Sequence, residues 1–237
     1  MRPIVTALLT LLLLSLSVQA ENRVPGITGM GVKLGSAWAT MSTNDEVFKT
    51  GSSGGFTAGA FLTYSISPKL VVQPELLYVA KGSANSNILN SSGFNCGYLE
   101  VPVLLKYNPS DKGRLKPGFF LGPAISTLLS AELYSDGFGS NYSYDVKNGM
   151  KSLDISVIVG GEIEFRSSKS VKFIVDVRYS LGLINAVDPT KWNEGRKVVG
   201  KGDWGPIHWT DYDRPLLEDN TYAKNRVFSI MIGVKFK

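Results

Sequence analysis

Few residues in this chain are of a type that does covalent chemistry. The single histidine lies in GKGDWGPIHWTDYDRP, where Asp203, His208, Asp211 and Asp213 fall close together. His208 with Asp211 has the make-up of a base and its orienting acid, and Asp211 with Asp213 that of a weak oxygen-ligand cation site. Hydrolysis also needs a nucleophile held on rigid elements, and this stretch is rich in turn-forming Asp, Gly and Pro. It reads as a solvated loop, and no catalytic, metal or cofactor site is assigned to it. Glu162 and Glu164, two residues apart, share one face of a strand and could act as acid and base. A set of charges that neutralise one another explains them better. Cys96 is the only cysteine, so no disulfide framework exists, and it reads as a small strand-edge residue rather than a reactive thiol.

The same loop offers more as a surface. It carries Trp192, Trp204 and Trp209, three of the chain's four tryptophans, together with Tyr212 and Tyr222. Aromatics among scattered charges suit contact with a protein or a glycan. Packing on one another, or anchoring at a lipid interface, are the competing readings.

The elements that hold these residues are strands. In LVVQPELLYVAKG (70–82), alternate residues separate cleanly: Leu70, Val72, Pro74, Leu76 and Tyr78 on one face, Val71, Gln73, Glu75, Leu77, Val79 and Lys81 on the other. Segments 153–166 and 171–182 show the same sorting, and 29–41, 56–67, 96–107, 117–131 and 226–236 fit it with less contrast. Pro74, Pro102 and Pro123 interrupt strands that otherwise read as central, which predicts a bulge or a split ladder at each. Connections alternate strictly between short ones, such as Ser67-Pro68-Lys69, and long ones at about 42–55, 83–95, 132–150 and 186–224. All long loops therefore lie at one end of an up-and-down meander of eight strands.

The polar face decides which side is inside. It carries Lys33, Glu75, Lys81, Glu100, Lys106, Asp154, Glu162, Glu164, Lys172, Asp176, Arg178 and Lys235, charges of both signs that can pair across a narrow lumen. Tyr64, Tyr78, Tyr107, Phe165, Tyr179 and Phe236 share the apolar face towards strand ends, where aromatic girdles of membrane barrels belong. The expected fold is all-β: an eight-stranded antiparallel up-and-down transmembrane β-barrel, with the apolar face towards lipid. A soluble barrel would turn the same face inward.

The first twenty residues, MRPIVTALLTLLLLSLSVQA, stand apart. Arg2, an apolar run from Ile4 to Leu16, and Val18-Gln19-Ala20 make a signal peptide with cleavage after Ala20. The formal charge of +5 falls to +4 without Arg2, and it is scattered rather than clustered, which argues against a nucleic-acid partner. Residues 21–237 then form one barrel domain, expected in the cell outer membrane.

The stretches FTAGAFLTYSISPKLVVQPELLYVAKG, YLEVPVLLKY, GFFLGPAIS, VDVRYSLGLIN and FSIMIGVKF resemble the PorT-type outer-membrane β-barrel family of Bacteroidetes, porin-like proteins, across nearly all of 29–237. The resemblance implies an eight-stranded barrel inserted by the barrel assembly machinery, and for some relatives an accessory role in protein secretion. Lys237 after Phe236 departs from barrels that end on the aromatic. The resulting expectation is a non-enzymatic barrel in outer-membrane lipid, binding a protein or glycan partner through its loops or periplasmic turns. The alternatives are a passive small-solute channel and, behind it, a loop-borne hydrolase. Eight strands leave an interior that side chains can fill, and Leu77 and Met231 add bulk to the twelve charges.

Overall fold

The computed structural model describes residues 25–44, 51–86, 90–109, 113–137, 140–166, 170–193, 217–218 and 220–236. The strands are β1 (Gly26–Thr43), β2 (Gly51–Ser65), β3 (Leu70–Ser86), β4 (Asn90–Tyr107), β5 (Leu115–Gly137), β6 (Ser140–Asp145), β7 (Leu153–Arg166), β8 (Val171–Gly182) and β9 (Ala223–Phe236). A 3-10 turn, Lys147–Gly149, precedes β7, and a short helix spans 189–193. Every pairing is antiparallel, β9 returns to β1 with Leu34 opposite Ile232, and β4–β5 completes the ring. The result is a closed barrel of eight strands, β1–β5 and β7–β9. Residues 1–24, which include the stretch 1–20 expected to be a signal peptide, lie outside the described residues.

The wall inverts the order of a soluble barrel. Outward residues include Val32, Leu34, Leu76, Val101, Phe119, Leu121, Ile125, Val159 and Ile232, all exposed, while the charges point inward and, except for half-buried Lys172, are buried. Strand alternation makes this possible, because one residue in two faces each way. An outward apolar belt around a polar interior is the arrangement of a barrel solvated by lipid.

Three features differ from the reading of the sequence alone. The strands run further into the long-loop ranges: β1 reaches Thr43, β2 begins at Gly51, β3 ends at Ser86 and β4 begins at Asn90. The range 132–150 is not simply a loop, since β5 continues to Gly137 and turns back as β6, with Glu132 opposite Asp145. Polar Ser, Asn and Asp residues conceal these extensions, because above the lipid belt no apolar face is needed to hold a strand. Tyr78 and Tyr179 also lie short of their strand ends. β3 runs on to Ser86, and exposed Leu183 follows Tyr179 along the outward face.

The prolines split the ladder without shifting it. On β2–β3 the pairs pass from Phe61↔Glu75 to Tyr64↔Val72 in one register, skipping Pro74. The β3–β4 ladder likewise skips Pro102, and the β4–β5 ladder skips Pro123. Each proline turns its missing donor towards the preceding strand and keeps its pairing with the next, Pro74↔Val103 and Pro102↔Ala124 among them. The bulge that does occur on β4–β5 lies elsewhere, between Gly97 and Tyr98.

Candidate functional site: a braced lumen under an apolar cap

The twelve lumen charges gather into three groups along the barrel axis. In the middle, Lys33 of β1 meets Glu75 of β3 at 2.6 Å and Asp176 of β8 at 3.0 Å. Arg178 donates from Nη1 to Glu75 Oε2 at 2.8 Å and from Nε to Asp176 Oδ1 at 2.9 Å, and its Nη2 also contacts Asp176. Two acids and two bases thus share one buried site with no net charge. Aromatic rings floor it: Phe61 lies 5.3 Å from the Lys33 ammonium and Phe120 lies 5.1 Å from the Arg178 guanidinium. Glycine makes the room for both rings. A Cβ on Gly31 would stand 2.6 Å from Phe61 Cζ, and one on Gly160 would stand 2.5 Å from Phe120 Cζ.

Towards the long loops, Lys81 bridges Glu100 at 2.8 Å and Asp154 at 3.1 Å. The Ser126 hydroxyl donates to Glu100 at 3.0 Å, and the Asn225 amide donates to Asp154 at 2.9 Å. This group carries one net negative charge, over the ring of Tyr98 at 4.8 Å from the Lys81 ammonium.

Towards the short turns, Lys106 pairs with Glu162, and Glu164 holds both Lys172 at 2.5 Å and Lys235 at 3.3 Å. Three lysines against two glutamates leave this end positive. Gln73 joins it to the middle group, accepting from Lys106 at 2.8 Å and donating to Glu75 at 2.6 Å. Glu75 is the hub, with Lys33, Arg178 and Gln73 all bonded to it.

The structure therefore brings together, in contact, the charges that the parity of the strands placed on one face. Gln73, Ser126 and Asn225, and the rings beneath the cations, are further members of the site. Gln73 was legible, since it shares the face of Glu75 two residues on. Ser126 and Asn225 carry no charge to mark them, and only the closed barrel brings them to their partners.

Between the upper and middle groups, Thr57, Leu77, Arg178, Ser180, Ser229 and Met231 enclose a cavity of about 10 Å³, enough for one water. Above the upper group the mouth is filled by an apolar cap. Met41, Phe94, Tyr98, Leu128, Met150, Val187 and Leu217 are buried there together, with Cys96 among them rather than at a strand edge. Backbone bonds join the segments that form it: Lys151 N–H to Ala186 O and Ala186 N–H to Ala223 O, both 2.8 Å, and Asp188 N–H to Gly149 O at 3.0 Å. Asn193 and Leu217 bond reciprocally, the Asn193 side chain donating to Leu217 O at 2.8 Å and accepting its N–H at 3.2 Å.

Trp192 belongs to this cap. Its ring lies 5.7 Å from that of Phe94 and presses against Gly149, where a Cβ would stand 2.5 Å from it. Trp204, Trp209 and Tyr212 lie outside the described residues, as do Asp203, His208, Asp211 and Asp213.

Similar solved structures include Neisserial surface protein A (16% identity, TM-score 0.46, covering 90% of this chain and 99% of that one). Others are OprG from Pseudomonas aeruginosa (15%, 0.46, 92% and 99%) and Ail of Yersinia pestis (13%, 0.39, 90% and 99%). A search of curated proteins finds no match. The model of the outer membrane protein beta-barrel domain matches residues 19–188, most of the chain. With its closed ring of eight strands and its outward apolar belt, this chain belongs to the outer membrane protein beta-barrel domain family and is an outer-membrane protein.

Proposed function

We propose that this is a non-conducting, non-enzymatic barrel that works by binding a partner at its extracellular end, after export through a leader cleaved behind Ala20. The filled interior carries the reading. A lumen braced by paired charges, with a cavity of only about 10 Å³ between two of its groups and an apolar cap above, offers no passage to a hydrated solute. The cap also supports the choice of end. Segments 146–152, 183–193 and 220–223 are tied together by backbone and Asn side-chain bonds. A surface held in one conformation loses less entropy when it is bound. The partner is a protein or a glycan outside the cell. Resemblance to PorT-type barrels favours an accessory role in protein secretion within that reading.

Reconstitution into planar bilayers is the test. The expected result is a quiet membrane, with capture of a defined partner from intact cells that is lost when residues 194–216 are deleted. Steady, reproducible conductance steps would overturn the reading in favour of a small-solute channel.

A further inference from the structure

The β2–β3 ladder carries a register shift near the long-loop end. On β2–β3 the ladder pairs Ser52 with Ser83 and resumes only at Thr57 with Val79, with a register shift between. Ser53–Phe56 and Ala80–Gly82 face each other across this seam without pairing. Outside the seam lies a groove of about 330 Å³, within the size range of small-ligand sites. Ser53, Tyr78, Asn95, Ser130 and Glu132 line it, with glycines as its floor, and it reaches inward as far as Lys81.

Its depth in the membrane follows from the outward apolar residues. On β2, β4 and β5 these run as far as Phe56, Leu99 and Leu129, and Tyr78 closes the large ones on β3. The groove begins immediately beyond them, at the level of lipid headgroups.

The lining selects the ligand. It is polar, so an acyl chain gains little from entering. Its one cation, Lys81, is already held by Glu100 and Asp154, and exposed Glu132 adds a carboxylate, so a phosphate is disfavoured. Hydroxyl, phenol, amide and carboxylate groups remain, beside the stacked pair Phe56 and Tyr78, whose ring centroids are 4.9 Å apart. That combination suits a polyol with one apolar C–H face. We infer that the seam groove between β2 and β5 binds a saccharide, presented as a glycolipid headgroup or free in solution.

Gly54 supplies the control. A Cβ there meets no heavy atom within 4 Å, so a side chain at this position starts in open space, and Gly54→Trp is the variant chosen to fill the groove. An Asn95→Ala/Glu132→Ala variant, altered only at exposed positions, removes polar lining instead. Thermal unfolding would be followed in phosphatidylcholine nanodiscs, alone, with digalactosyl diacylglycerol, or with lactose added to the buffer. A ligand that binds only the folded state raises the midpoint, here by at least about 2 °C. A rise confined to the glycolipid discs assigns the headgroup as source, and a rise with lactose as well assigns free saccharide. Either must be lost in both variants. No rise in any arm, or a rise undiminished in the variants, would overturn the inference.

Discussion

Glu75 shows what a single residue contributes here. It lies buried on the lumen side of β3 and receives hydrogen bonds from Lys33, Gln73 and Arg178. Removing it leaves Lys33 and Arg178 to share Asp176 alone, a buried excess of positive charge. Breaking such a site by deleting one partner costs about 3–5 kcal/mol, whereas removing both partners costs much less. Glu75→Gln is therefore expected to destabilise strongly, and Lys33→Gln in the same chain to recover part of the loss, as read by urea unfolding in detergent micelles. Strictly additive losses would show that the charges act independently. Lys172 provides the contrast at this scale. Its side chain is 17% exposed at the open end of the lumen, and its pairing with Glu164 is backed by Lys235. Lys172→Ala should cost no more than about 1 kcal/mol.

At the scale of the strand, β7 tests which solvent the outer face meets. Val159 lies mid-strand and is 51% exposed, while Phe165 lies near the short turn to β8 and is 37% exposed. Arginine at the midplane of a transmembrane barrel costs about 2–4 kcal/mol and close to the interface about 0–1 kcal/mol. Val159→Arg is therefore expected to destabilise more than Phe165→Arg when both unfold from lipid vesicles. An equal or reversed ranking would contradict the lipid-facing assignment, since exposure alone separates the two positions little. The cap elements form a second unit above this belt. Phe94 is buried in the cap against Trp192, and a Phe→Ala change in a packed core costs about 3–5 kcal/mol. Phe94→Ala should loosen 146–152 and 183–193 while the barrel below keeps its ladder. Protease added to intact vesicles would then cut those segments faster than in the native chain. Unchanged cleavage would mean that the cap is not held by this contact.

The whole molecule combines an apolar cap, a braced interior and an outward apolar belt. Such a barrel is closed by long-range pairing, β1 with β9 above all, so it unfolds as a unit rather than strand by strand. The unheated protein should therefore resist SDS and migrate differently on a gel from the boiled protein, after fractionating with outer membranes. A single unchanged band before and after boiling would count against a closed ring.

What the sequence alone determined is the sidedness of the wall. Side chains alternate with a period of two whatever the neighbouring strands are, so Glu75, Lys81 and Gln73 had to share one face and Leu76 and Tyr78 the other. The alternation of short and long connections determined the meander in the same local way. Which charge meets which was decided only by closure. Lys33 and Asp176 stand 143 residues apart, and Lys81 and Asp154 stand 73 apart. They meet because the ring brings β1 beside β9 and its neighbour β8, and turns β3 and β7 towards one lumen. The same holds for the cap and the seam. The cap joins Met41, Phe94, Met150, Val187 and Leu217, residues from five separate stretches that carry no common period. The seam depends on a register shift between β2 and β3, which is a property of two strands together. Periodicity reports the environment of one strand, and contacts across a closed lumen arise only when all eight strands have paired.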